Sequence, residues 1–273
     1  LEGRHPKSDH VSNVEQLVDM GQTRLAADHL LFPELNGRLP EIMSGILRVL
    51  NLKFNSAVLF GGESEEEKKE NILSRFYCYE FLLETALNFF GHESGALEVF
   101  EKNMCLEHIF STLLSFEVIE NKEEDEALIA RASVNYILEG MELVQGGASM
   151  VAKSAGRMRK AIRGEDSVCY EFLAAAEEEI MSNIYYRMVD MGCCKFGNDY
   201  ALGLRWLRHL GFEQVSTNPV LAAKAYDDDP SIMKVFKNEV VRDERFGKWS
   251  SDPDKYADDI TLFATLFALW DNL

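Results

Sequence analysis

From residue 12 to about residue 190, apolar side chains return every three or four positions. That period belongs to helices laid against a shared core, so this stretch is predicted to be helical throughout. Val14, Leu17 and Val18 mark a short first helix, and Pro40 stands at the first turn of another that carries Ile42, Ile46 and Leu50. Residues 51–64 read as a loop. Ser64 with Glu67 forms a capping box, Glu65 and Glu66 suit the positive end of the helix dipole, and Ile72, Phe76, Tyr79, Leu83, Ala86 and Phe90 form one stripe that Gly91 ends. One or two helices are expected over 93–120. A further helix starts in the acidic run Glu123 to Glu126, carries Ala130, Val134, Ile137, Met141 and Val144, and breaks at Gly146-Gly147. Val151, Ala155, Met158 and Ile162 mark the next, which stops near Gly164. A single helix is predicted from about Ser167 to Asp190, with Phe172, Ala176, Ile180, Ile184 and Met188 spaced by four. Several of these helices are apolar on more than one stripe, as in a bundle whose members touch neighbours on two sides.

The pattern changes at Gly192. A short segment bounded by glycines, Cys193 to Asn198, precedes a helical run from Tyr200 to Leu210, and Gly211 stands where a C-terminal cap glycine belongs. Phe212 to Ser216 is strand-like and ends at Thr217-Asn218-Pro219. Strand, helix and strand in so few residues form the compact unit of a parallel α/β sheet. Val220 to Leu273 reads as helical again. Its last helix starts after Pro253, with Tyr256, Ile260, Phe263, Phe267 and Trp270 on one face and Leu262, Leu266 and Leu269 on another.

With 28 basic and 46 acidic residues the chain carries a net charge of −18. Such a surface repels phosphate backbones and anionic lipid, which excludes nucleic acid and membrane as expected partners. The longest terminal apolar run, Ile260 to Trp270, is about half of the roughly 20 residues that a spanning helix needs. Cys78, Cys105, Cys169, Cys193 and Cys194 are an odd count without metal or redox spacing, so reduced thiols and a cytoplasmic setting are expected. His29, His92, His108 and His209 are scattered, so no metal site is expected, and no nucleotide or hydrolase motif implies an organic cofactor. The basic cluster Lys153, Arg157, Arg159, Lys160 and Arg163 reads as a solvated helix surface, and Asp227-Asp228-Asp229 as a loop and helix start.

Gly197-Asn198-Asp199-Tyr200, followed by Phe212 to Pro219, resembles the opening of the transaldolase family. There an aspartate ends the first barrel strand and a Thr-Asn-Pro motif ends the second. Asp199 and Asn218 are 218 − 199 = 19 positions apart, which suits one helix and one strand between two strand ends on the active face of a barrel. The resemblance covers about residues 190–240, and Val220 stands where the family commonly has a small hydroxyl residue. It implies that Asp199 is the catalytic acid and base on a sugar hydroxyl, and that Asn218, with Thr217 beside it, binds substrate. The family's imine-forming lysine and its phosphate-binding groups come from later strands, which would fall beyond Leu273. Lys195, in the first strand segment, is out of place by the family pattern. In purely structural roles, Asp199 caps the next helix and Asn218-Pro219 starts a turn.

The chain is therefore expected to be mainly α: a helical bundle over 9–190, then over 191–273 the first βα units of a truncated (β/α)8 transaldolase-like barrel. The resemblance implies a transferase of carbohydrate metabolism, of the pentose phosphate type. It would move or cleave a three-carbon ketol unit of a sugar phosphate through a lysine imine, without metal or organic cofactor, and this chain would be an incomplete, inactive portion. The alternative is a non-catalytic helical interaction protein or scaffold with a relic barrel segment. Its protein partner, or a second copy, would bind the helical domain and the doubly apolar C-terminal helix.

Overall fold

The computed structural model describes residues 9–59, 64–123, 128–144 and 149–270. Among them the chain is mainly helical, with fourteen α-helices and two short strands. Glu124 to Glu126 of the acidic run, Gly146-Gly147 and Leu273 lie outside the described residues. The described residues divide into two compact units. One comprises those of Leu1–Ile137 with Met158–Ser182, the other Leu138–Arg157 with Asn183–Leu273.

In the first unit the helices are α1 (His10–Asp19), α2 (Thr23–Asp28), α3 (Leu39–Leu59), α4 (Glu65–Phe90), α5 (Val99–Glu123), the first part of α6 (Leu128–Glu142), the end of α7 (Met150–Ala161) and α8 (Val168–Met181). The capping box of α4 forms as expected. Ser64 Oγ accepts from the Glu67 backbone N–H, Glu67 accepts from the Ser64 N–H, and Gly91 ends the helix. From Cys78 to Phe90 every residue of α4 is buried, including Glu80, Glu84, Thr85 and Asn88. That helix packs against α2, α3, α5 and α8, so its C-terminal half is a central rod and not a one-faced amphipathic helix. Ile72, the first member of the expected stripe, is exposed. At the centre, Phe54 of α3 and Phe116 of α5 stack with ring centroids 3.8 Å apart, and Tyr79 of α4 meets both edge-on.

Several boundaries differ from expectation; Glu123, the expected start of a helix, ends α5, and two further differences have a local cause. Residues 51–59 are helical, because the side chains that argue against it turn back on the helix. Asn51 donates to the Leu47 carbonyl and Asn55 to the Asn51 carbonyl, at 2.8 and 2.7 Å, while Phe54 and Ala57 are buried. The expected single helix over 167–190 is two: α8 stops at Met181, and α9 (Ile184–Asp190) starts afresh in the second unit. Asn183 is extended and caps α9 by accepting from the Tyr185 N–H at 3.0 Å. The four-residue spacing runs through this break, yet Ile184 is exposed.

His10 of α1 and His29, just after α2, are joined ring to ring, Nδ1 to Nε2 at 2.9 Å. Such a bond needs one bare nitrogen, and burial first, then the charge of His10, hold His29 below its ordinary value of 6.5 despite the opposing pull of Glu34. A base with a depressed folded pKa binds fewer protons folded than unfolded. The stability it supports is complete above about pH 6.5 and is lost as pH falls through the folded value. The urea midpoint of the wild type is therefore expected to drop more between about pH 7.5 and about pH 5.5 than that of His29→Gln. Equal drops would show that the pair is not the sensor.

In the second unit, β1 (Phe196–Asn198) and β2 (Phe212–Val215) pair in parallel, Phe196 opposite Phe212 and Asn198 opposite Val215, with an irregularity after Phe196. A short 3-10 turn, α10 (Leu204–Leu207) and a second 3-10 turn connect them, closed by Gly211 at φ 84°. The parallel strand pair is as expected, while the helical run expected over Tyr200 to Leu210 is α-helix only at Leu204–Leu207, with a 3-10 turn on either side. Then follow α11 (Pro219–Asp228), α12 (Pro230–Arg242), α13 (Phe246–Ser251) and α14 (Ala257–Trp270). Asp227 and Asp228 belong to α11, and Asp229 caps α12 by accepting from the Ser231 N–H. Phe236, Trp249, Phe263 and Phe267 form the aromatic core of these last helices. Leu262, Leu266 and Trp270 of α14 are exposed. Among the described residues no helix is long and apolar enough to cross a membrane.

Candidate functional site

The carboxyl ends of β1 and β2 lie side by side because the pair is parallel and nearly in register. The turn after β1 is held from two sides. Asn198 Nδ2 donates to the Tyr200 carbonyl at 2.5 Å, and the Tyr200 hydroxyl donates to Asp228 Oδ2 of α11. Burial first, then the carboxylates of Asp228 and Asp229, push the Tyr200 hydroxyl well above its ordinary range, so it stays a donor. Asp199 stands between these two anchored residues and is exposed. The cap of the following 3-10 turn is Tyr200, without a side-chain bond, so Asp199 does not serve as a cap.

Asn218 does have a capping role. Its Oδ1 accepts from the backbone N–H groups of Val220 and Leu221, each at 3.0 Å, at the start of α11. The carboxamide oxygen is committed to the fold, and its Nδ2 is the atom left to offer a ligand. Thr217 Oγ1 is buried without a hydrogen-bond partner.

Asp199 lines a groove of about 760 Å³ together with Asn198, Tyr200, Gln214, Ser216 and Lys224. Its aromatic wall is Tyr185 of α9 against Phe196 and Phe212, with ring centroids 4.8 and 5.4 Å away. Thr217 and Asn218 line a second hollow of about 460 Å³ with Pro219 and the Leu262 and Leu266 face of α14. The strand ends thus bring Asp199 and Ser216 to one groove and carry Thr217 and Asn218 to another. Lys195 pairs with Glu213 at 2.7 Å and does not line Asp199's groove. Sequence reasoning missed Tyr200, Ser216 and Lys224. The signal for Lys224 was its i, i+4 spacing to Asp228 on α11, legible only once Tyr200 is known to meet both.

Among the described residues no group of three or more His, Cys, Asp or Glu side chains is placed to hold a metal ion. Comparison with models of known protein families, with curated proteins and with solved structures finds no match to this chain.

Proposed function

We propose that the second unit carries the opening of a transaldolase-like site, which moves or cleaves a three-carbon ketol unit of a sugar phosphate. The observation that supports this reading most is the placement of Asp199 directly after β1 and of Thr217-Asn218 just past the end of the adjacent parallel β2, with Asp199 uncommitted to any cap. In the proposed reaction a lysine amine from outside this strand pair adds to the ketose C2 carbonyl and water leaves, giving an iminium ion. Asp199 then takes the C4 hydroxyl proton as the C3–C4 bond breaks. The bonding pair moves into the iminium, leaving an enamine and a free aldehyde. Asn218 opens onto the second hollow, so its Nδ2 takes the substrate-binding role only with a substrate that reaches both hollows.

Borohydride treatment of the native protein from its source with fructose 6-phosphate is expected to leave a reduced adduct visible by intact mass. Asp199→Ala should lower ketol transfer by about 10²-fold or more. Asn218→Asp keeps an oxygen for the α11 cap and removes only the Nδ2 donor, so it separates the substrate role from a loss of about 1 kcal/mol of capping. No adduct, together with unchanged turnover in Asp199→Ala, would rule the reading out.

A second reading, a non-catalytic helical interaction protein, is favoured by the exposed Leu262, Leu266 and Trp270 on α14. It predicts no adduct under the same conditions.

A further inference from the structure

The groove beside Asp199 holds one feature that the resemblance does not supply. Among its described lining residues Lys224 carries the single positive charge and Asp199 the single negative one. Lys224 lies one helical turn before Asp228 on α11, and Tyr200 engages both residues. The Tyr200 hydroxyl bonds the Asp228 carboxylate, while the Lys224 Nζ sits over the Tyr200 ring, 5.4 Å from its centroid. Asp228 is thus occupied by the phenol, and Lys224 has no ion-pair partner among the described residues. The ring carries the lysine through a cation–π contact and leaves the ammonium's three donors for a ligand. Tyr200 itself is buried and anchored at both its carbonyl and its hydroxyl, so the shelf under the amine is rigid. Around it stand neutral hydrogen-bonding groups, Asn198, Gln214 and Ser216, and the aromatic wall of Tyr185, Phe196 and Phe212.

We infer that this groove binds a small polyhydroxylated ligand bearing an oxyanion, a phosphate ester or a carboxylate, and that Lys224 is the residue that takes the anion. An ammonium over the anchored Tyr200 ring recognises an oxyanion as a point charge, the polar side chains suit hydroxyl groups, and the aromatic wall suits the C–H face of a carbohydrate. The acidic remainder of the protein repels anions, so the local positive charge is what lets one enter. For the class of ligand this inference rests on the sugar-phosphate reading above. It adds an anion contact inside the first two βα units, where the resemblance assigns phosphate binding to groups elsewhere.

The test is equilibrium binding by calorimetry to the intact protein, with fructose 6-phosphate, gluconate and fructose as probes. Fructose 6-phosphate or gluconate should bind more tightly than fructose, and the preferred probe tells phosphate from carboxylate. Raising the salt concentration should weaken binding of the anion. Lys224→Met should lose about tenfold or more in affinity for the preferred anion and leave weak fructose binding unchanged, while Lys224→Arg should restore most of the affinity. Circular dichroism checks that each variant folds. Lys224→Met binding the anion as well as the wild type, fructose binding as well as both anions, or no binding by the wild type, each overturns the inference. Borohydride trapping separates it from the proposed reaction. Anion binding that depends on Lys224, in a protein that forms no adduct, keeps this site and removes the imine chemistry; an adduct formed equally in Lys224→Met with unchanged sugar-phosphate affinity does the reverse.

Discussion

Glu117→Ala is expected to lower the unfolding free energy of the helical unit by about 3–5 kcal/mol. Glu117 lies on α5, almost fully buried at 4% exposure, and its carboxylate is aimed at the start of α8. One oxygen accepts from the Ser167 hydroxyl at 2.7 Å and the Cys169 N–H at 3.0 Å, and the other from the Val168 N–H at 3.0 Å. Those two amides belong to the first turn, where no intrahelical carbonyl can reach them. The carboxylate satisfies them and places its negative charge at the positive end of the helix dipole. Alanine removes the acceptor and leaves two buried N–H groups and a hydroxyl unpaired, each costing about 1–3 kcal/mol. Gln is expected to recover only part of the loss, because its NH2 group would face one of the donors. Urea denaturation followed by circular dichroism reads the change, with the exposed Glu41→Ala as a control near zero. A loss under about 1 kcal/mol in Glu117→Ala would mean that water replaces the carboxylate at no great cost.

The second large effect is expected at the entry to β2. Gly211→Ala should destabilise the strand-bearing unit by about 3 kcal/mol. Two costs combine there. Gly211 sits at φ 84°, a left-handed conformation that costs an L-residue about 1–2 kcal/mol. An added Cβ would also stand 2.8 Å from Val189 Cγ1 and 3.0 Å from Val189 Cβ, contacts that force α9 and the strand entry apart. Gly37 separates the two terms, because it has φ 81° with nothing within 4 Å of the added carbon. Gly37→Ala should therefore cost about 1 kcal/mol. Thermal melts of both variants give the comparison, and equal losses would show that the Val189 contact relaxes freely. Because β2 runs from Phe212 to Val215 and Ser216 after it lines the groove, a shifted Gly211 should also perturb the groove that Asp199 and Lys224 line.

Legibility followed range. The capping box of Ser64 and Glu67, the turn at Gly211 and the parallel strand pair between Phe196 and Val215 are patterns of nearby residues, and each stands in the structure as read. The helix over 51–59 and the break at 182–183 differ from the reading of the sequence, and asparagines stand at both. Asparagine is ambiguous on its own, since Asn51 and Asn55 bond back into a helix while Asn183 opens one. The candidate site was legible in part. The strand ends that hold Asp199 and Asn218 follow from their spacing, but their opening onto two different grooves does not.

By itself the sequence determined the helical character of the chain, most of its helix starts and stops, and the short parallel strand pair, because these depend on side chains within a turn or two of each other. Tertiary structure alone decided that α4 is buried on every side and that Glu117 completes a helix some 50 residues away. It also decided that Tyr200 ties Asp228 and leaves Lys224 beside Asp199's groove. Those contacts join residues whose separation along the chain carries no period, so packing and the need to pair buried polar groups select them.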